Sequence, residues 1–147
     1  MRLVDSSGQP DFYDAADRNP VLLAVDDDLL TVELLRDIAH DSGWVAHGFT
    51  RISELMEALR EQPPAVLILD DDLADGRGGD LARDLREDPR MADVTLLICT
   101  AAHPMRAAEI GAWAPVISKP FDLAEIESFL QAAGRRLDAR ARGDRSG

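Results

Sequence analysis

The sequence has little cysteine, little basic charge and no long apolar run. Its single cysteine, Cys99, excludes an internal disulfide, and its apolar neighbours predict a small core residue rather than a nucleophile. An excess of acidic residues gives a formal net charge of −12, which argues against a general nucleic-acid or anionic-membrane surface. No apolar run approaches the roughly 20 residues of a membrane span, and the N-terminus lacks the apolar region of a signal peptide. We therefore expect one cytoplasmic domain without a nucleic-acid or membrane partner.

Lysine is the scarcest of the basic residues. Of the 16 basic side chains only Lys119 is a lysine, and the rest are arginines. Lysine carries a compact ammonium on a flexible stem and meets a phosphate or carboxylate as a point charge, whereas arginine presents a wide fork. A specific role for Lys119 and a chance occurrence both stay open until its position in the fold is known.

Two apolar stretches end in three consecutive aspartates. They are Val21 to Asp28 (VLLAVDDD) and Ala65 to Asp72 (AVLILDDD). Short runs rich in Val, Ile and Leu are typical of strands buried on both faces. Adjacent carboxylates repel one another and need a cation, a helix terminus or water. Together the two stretches predict one shared anionic pocket.

Strands and helices are predicted to alternate along the chain. The predicted strands are Val21 to Val25, Trp44 to Phe49, Ala65 to Leu69, Val94 to Thr100 and Val116 to Ser118. The predicted helices are Leu30 to Asp41, Arg51 to Glu61 with Thr50 as its cap, one around Leu81 to Glu87, a short one from His103 to Gly111, and a last one opened by the capping box of Asp122 and Glu125. Alternation of this kind predicts an α/β fold with a flavodoxin-like, doubly wound, five-stranded parallel sheet in the order 2-1-3-4-5 and five helices.

Three segments divide the chain in this interpretation. Residues 1–19 are expected to form a flexible leader, residues 20–134 the domain, and residues 135–147 a basic tail on an acidic body. No further domain is expected to follow, because the tail is too short to fold alone.

The doubly wound fold would bring the polar strand ends together. Asp26 to Asp28, Asp70 to Asp72, Thr100 and Lys119 all fall at or just after the ends of predicted strands. In such sheets the functional crevice lies at the carboxyl ends of the strands. Clustered carboxylates favour a hard cation, most plausibly Mg²⁺. An aspartate could then act as a nucleophile towards a phosphoryl group, with Thr100 as a hydrogen-bond donor and Lys119 as the balancing charge.

The chain resembles the response-regulator receiver domains of bacterial two-component signalling. The matching segments are AVDDD, LILDDDLADGRGGDL, ICTA and SKPFDLAEI, within about Val21 to Ala133. The resemblance implies that Asp70 is the phosphoacceptor, Thr100 the switch hydroxyl and Lys119 the phosphate-pairing lysine. It implies metal ligation by Asp27 and Asp70, by Asp26 through water, and by the backbone carbonyl of Asp72, and it allows a cis Lys119-Pro120 bond.

Four features depart from the family pattern. Ala74 and Arg77 replace the usual proline and acid in the loop after Asp70, and Val116 replaces a common aromatic switch residue. The segment between Thr100 and Lys119 is short, which predicts a reduced fourth helix. Asp71 and Asp72 add charge beside the acceptor. Trp113 is an alternative to the missing aromatic, although a core tryptophan is the simpler interpretation.

Three functions compete at this point. The first is a stand-alone receiver that takes a phosphoryl group from a histidine kinase or a phosphotransfer protein and then contacts a downstream target protein or passes the group on. It would not be an enzyme in the ordinary sense. The second is a receiver-like module that binds its partner without phosphorylation. The third is a haloacid-dehalogenase-like phosphohydrolase, because Asp70-Asp71-Asp72 contains an Asp-x-Asp pattern, but the acidic pair that family needs after its lysine is missing.

Overall fold

One parallel sheet organises the chain. The computed structural model describes residues 19–146, with side chains through residue 143. The sheet strands are β1 (Val21–Val25), β2 (Val45–Phe49), β3 (Val66–Leu69), β6 (Thr95–Thr100) and β7 (Val116–Ser118), in the order β2-β1-β3-β6-β7. All four neighbouring pairs are parallel. The predicted flavodoxin-like order 2-1-3-4-5 is confirmed, since β6 and β7 are the fourth and fifth sheet strands.

Two very short strands interrupt the loop after β3. They are β4 (Asp72–Leu73) and β5 (Gly76–Arg77), which pair antiparallel as a small ribbon outside the main sheet. Gly76 has a φ of +154°, a backbone conformation that favours glycine. The predicted plain loop is therefore partly ordered.

Five α-helices cover the sheet, as predicted. They are α1 (Leu29–Asp41), α2 (Ile52–Glu61), α3 (Gly78–Arg86), α4 (Pro104–Ile110) and α5 (Leu123–Ser146), with a 3₁₀ turn at Pro89–Met91. Helix α4 has only seven residues, which agrees with the predicted reduction. No helix in residues 19–146 is long and apolar enough to cross a membrane.

The apolar core has two layers, one on each face of the sheet. Alternate strand residues such as Leu22, Ala24 and Cys99 pack with α1 and α5 on one face. Leu23, Val25 and their counterparts pack with α2, α3 and α4 on the other. Burial on both faces explains why these strands read as unbroken apolar runs, and the burial of Cys99 agrees with its predicted core role.

The predicted cap of α2 is wrong, and α5 continues past Gly134, where the predicted basic tail was expected to begin. Thr50 does not cap α2; the Asp75 carboxylate accepts the amide hydrogens of Ile52 (2.9 Å) and Ser53 (3.1 Å) from the loop between β3 and α3. Helix α5 does not end near Gly134, so the predicted basic tail begins as a continuation of that helix rather than as a separate segment. Gly134 acts as a stop only in a left-handed conformation, and only Gly43 and Gly76 have a positive φ in the described part of the chain. The predicted leader comprised residues 1–19. Residues 1–18 lie outside the described part of the chain, and only Asn19 is described.

Candidate functional site

The carboxyl ends of four strands meet at one edge of the sheet. Asp26 follows β1, Asp70 follows β3, Thr100 ends β6 and Lys119 follows β7. An open cleft of about 850 Å³ lies at this edge, and its lining includes Asp27, Asp70, Thr100 and Lys119. The carboxyl ends of parallel strands lie at the same edge of a sheet, so residues that follow these strands come close together there.

Three carboxylates form a group that fits a divalent cation. Asp26, Asp27 and Asp70 each offer an oxygen, and these oxygens lie within 4.8 Å of one another. An all-oxygen donor set of this kind suits Mg²⁺ rather than a softer metal. Asp26 and Asp70 are buried, whereas Asp27 is exposed and open to the cleft. The Asp72 side chain is exposed and lies outside this group.

Lys119 lies against the two buried carboxylates. Its Nζ donates a hydrogen bond to Asp26 Oδ2 and lies 3.5 Å from Asp70 Oδ2. Burial alone would lower the pKa of Lys119, but the hydrogen bond to Asp26 and the two negative charges raise it above its usual value. The ammonium is therefore firmly protonated. A cis peptide bond joins Lys119 to Pro120, as the sequence allowed.

The acidity of the Asp70 carboxyl is strongly perturbed. Burial and the nearby charge of Asp26 raise its pKa to about 6, although Lys119 and the Asp72 amide act in the opposite direction. One ammonium therefore does not neutralise this cluster of acids. A bound cation would relieve that imbalance.

Thr100 places its hydroxyl on the same edge. The residue is 1% exposed, and its Oγ1 accepts a hydrogen bond from the Ala102 amide at 3.0 Å. The hydroxyl hydrogen stays available for an acceptor in the cleft. The predicted placement of Thr100 beside the acids is correct.

Asp71 lines the same cleft but lies outside the metal-binding group of Asp26, Asp27 and Asp70. Its carboxylate is buried and accepts hydrogen bonds from Arg106 Nε (3.0 Å), Arg106 Nη2 (2.9 Å) and the Gly79 amide (3.1 Å). Chiefly through the Arg106 hydrogen bonds, these partners hold its pKa below the usual value even though burial opposes the shift. The sequence predicted added charge beside the acceptor but gave no signal for Arg106, which lies 35 residues away.

Trp113 and His103 have local roles on α4 and the turn after it. The Trp113 indole N–H donates to the Gly79 carbonyl at 2.8 Å, and the Arg83 guanidinium lies 5.2 Å from its ring centre. Trp113 thus packs partly exposed against α3 rather than in the core centre. His103 Nδ1 accepts from the Met105 amide at 3.1 Å and so caps α4.

Comparison with known proteins agrees with the fold and identifies the family. The family model described as "Response regulator receiver domain" matches residues 22–131. RegA of Cereibacter sphaeroides, a photosynthetic apparatus regulatory protein, is 33% identical, covering 83% of this chain and 66% of that protein. GltR of Pseudomonas aeruginosa, a transcriptional regulatory protein, is 31% identical, covering 78% of this chain and 49% of that protein. The chain therefore spans about half to two thirds of the length of these relatives.

A solved structure gives the same architecture. The chemotaxis response regulator CheY4 of Vibrio cholerae superposes with a TM-score of 0.67 at 19% identity, covering 77% of this chain and 97% of that protein. At that identity the likeness concerns the fold alone. The match of the family model over most of the sequence shows that this chain belongs to the response regulator receiver domains.

Proposed function

We propose that this receiver accepts a phosphoryl group on Asp70 from a histidine kinase or a histidine phosphotransfer protein. The observation that carries the proposal is the position of the Asp70 carboxylate, buried at the end of β3 between the oxygens of Asp26 and Asp27 and the ammonium of Lys119. Output would be a contact with a downstream protein or onward transfer of the phosphoryl group. Single-domain status stays a prediction.

The transfer itself is a nucleophilic substitution at phosphorus. An Asp70 carboxylate oxygen attacks the phosphorus of a phosphohistidine, a P–O bond forms, and the P–N bond breaks. The departing imidazole takes a proton from solvent. The product is an acyl phosphate on Asp70, and no other reactant is required.

Mg²⁺ fits the donor set of this site. Asp27 and Asp70 would hold the ion directly, Asp26 would act through water, and Asp72 would contribute its backbone carbonyl. When bound, the ion supplies positive charge that lets an anionic phosphoryl group approach an anionic carboxylate. Receiver domains generally bind Mg²⁺ at an acidic pocket of this kind.

Thr100 and Lys119 would complete the environment of the phosphoryl group. The Thr100 hydroxyl donates a hydrogen bond to a phosphoryl oxygen, and the Lys119 ammonium balances its charge. Recruitment of Thr100 would reorder the loop that follows β6 and bias a two-state equilibrium.

Labelling by a small phosphodonor tests the assignment. With acetyl phosphate and Mg²⁺, the wild-type protein should gain a hydroxylamine-labile phosphoryl group, and Asp70→Asn should gain none. Asp84→Asn is a matched control, because Asp84 is an exposed aspartate of α3 away from the cleft. Undiminished labelling of Asp70→Asn would move the acceptor elsewhere. Absence of labelling in the wild type would favour a phosphorylation-independent interaction module.

A further inference from the structure

Arg106 joins α4 to the residue that follows the proposed acceptor. Its guanidinium donates hydrogen bonds to both carboxylate oxygens of Asp71 and a further one to Asp80 Oδ1 at 3.0 Å. The Asp71 side chain is 1% exposed and that of Arg106 is 17% exposed, so water competes weakly for this pair. A two-point guanidinium–carboxylate contact fixes orientation as well as distance.

Asp71 is tied to the acceptor loop at three points. It is covalently next to Asp70, its backbone carbonyl accepts from the Gly78 amide at 3.0 Å, and its side chain accepts from the Gly79 amide. The Gly79 carbonyl in turn accepts the indole hydrogen of Trp113 from the turn after α4. A change in the backbone at Asp70 therefore reaches α4 through a short chain of hydrogen bonds.

Loss of the Asp71–Arg106 contact would be costly. A buried carboxylate that loses its guanidinium partner suffers a large cost of desolvation. Arg77 Nη1 also lies 3.4 Å from Asp71 Oδ2, but its side chain is 61% exposed and would replace only part of that contact. The Asp71–Arg106 contact therefore favours a movement of α4 together with the loop. Val116, of intermediate burial, offers no polar or aromatic group that could perform the same task.

We propose that Arg106 is a positioning residue that acts through Asp71 and carries changes at Asp70 to α4. The inference rests on the proposed phosphorylation of Asp70 and adds the route by which α4 responds. Phosphorylation alters the position of α4 more strongly while the Asp71–Arg106 pair is intact, beside the smaller effect carried by the loop after β6 and by the Trp113–Gly79 hydrogen bond.

Amide NMR spectra with Mg²⁺ and beryllofluoride, a phosphoryl mimic, test the route. In the wild type the signals of Thr100 and Ala101 in the cleft and of Ala107 and Ala108 in α4 should all shift. The double variant Asp71→Asn/Arg106→Gln removes both charges together, so no buried charge is left unpaired. In that variant the cleft signals should still shift, and the α4 shifts should be clearly smaller than in the wild type.

Single variants provide the controls. Glu109→Gln removes an exposed carboxylate 3.5 Å from Arg106 and should keep the α4 shifts at wild-type size. Arg106→Lys keeps the charge but cannot form two parallel hydrogen bonds, so it should reduce the α4 shifts. If the double variant fails to take up beryllofluoride, Arg106→Lys decides the question, and α4 shifts of wild-type size would overturn the inference.

The outcomes separate this inference from the proposed function. Wild-type α4 shifts that persist in a double variant with shifted cleft signals would overturn the role of Arg106 and leave the acceptor assignment intact. Cleft shifts without α4 shifts in the wild type would do the same. No cleft shifts in the wild type at saturating Mg²⁺ would refute the proposed function itself, and the inference with it.

Discussion

Replacing Asp70 with asparagine should stabilise the protein when no divalent cation is present. The folded state raises the pKa of Asp70 from 3.8 to about 6, chiefly by burial and next by the charge of Asp26. Since one pKa unit corresponds to about 1.4 kcal/mol, the ionised carboxylate lowers stability at neutral pH by at most about 3 kcal/mol. This figure already contains the opposing attraction of Lys119. Because asparagine matches the protonated carboxyl only approximately in its hydrogen bonding, we expect a net gain of roughly 1–2 kcal/mol.

The pH dependence of this gain has a definite sign. Because the pKa of Asp70 is higher in the folded state, the folded protein binds the proton more tightly, and ionisation penalises folding. Below about pH 3.8 the carboxyl is protonated in both states and the penalty vanishes. The stability difference between Asp70→Asn and the wild type should therefore grow from about pH 4 and reach its full value above about pH 6.

Urea unfolding in EDTA, followed by tryptophan fluorescence, measures this difference. Asp84→Asn is the control and should change stability little at any pH. Saturating Mg²⁺ should raise the stability of the wild type more than that of Asp70→Asn, because a ligand that binds only the folded state stabilises it. Equal stabilities at pH 7.5, or a difference that increases as the pH falls, would refute the electrostatic reasoning.

Four other substitutions probe the site and its supports. Lys119→Arg should slow both labelling by acetyl phosphate and the structural change induced by beryllofluoride about tenfold or more. The reason is that loss of a charge-assisted hydrogen bond costs about 1.5–3 kcal/mol. Unchanged labelling kinetics would show that Lys119 has no part in the mechanism. Gly78→Ala should impair labelling and stability, because its Cβ would lie 1.9 Å from the Asp70 carbonyl oxygen. Gly134→Ala is the control: its Cβ would meet open space, so the variant should be as stable as the wild type or more stable in urea unfolding. Asp75→Asn should lower stability slightly, because asparagine has one acceptor oxygen for the two amide hydrogens that Asp75 accepts at the start of α2, and a variant as stable as the wild type in urea would contradict that role.

The sequence predicted the sheet and the centre of the site because both depend on local patterns. Apolar runs of strand length defined the five strands, and the parallel order brought Asp26, Asp70, Thr100 and Lys119 to one edge. The position of Asp27 in the carboxylate group follows from the same rule.

Side-chain partners across long separations were not predictable in this way. Asp75 replaces Thr50 at the start of α2 from 23 residues away, and Arg106 pairs with Asp71 from 35 residues away. Neither distance corresponds to a helix or strand repeat, so no periodicity indicates the contact. The continuation of α5 through Gly134 was missed for a different reason. Glycine can adopt helical or left-handed backbone angles, and the sequence does not show which of them it takes.

The buried thiol of Cys99 can report how often the core of the protein opens to solvent. Burial raises the pKa of its thiol to about 12, and the side chain is 1% exposed, so a maleimide reagent meets almost no reactive thiolate in the folded molecule. Cys99 is the only cysteine in the chain. Each alkylated molecule has therefore undergone at least one local unfolding event that exposed the core layer between the sheet and α5. Mass spectrometry of the alkylated fraction over time would thus follow opening without an engineered probe.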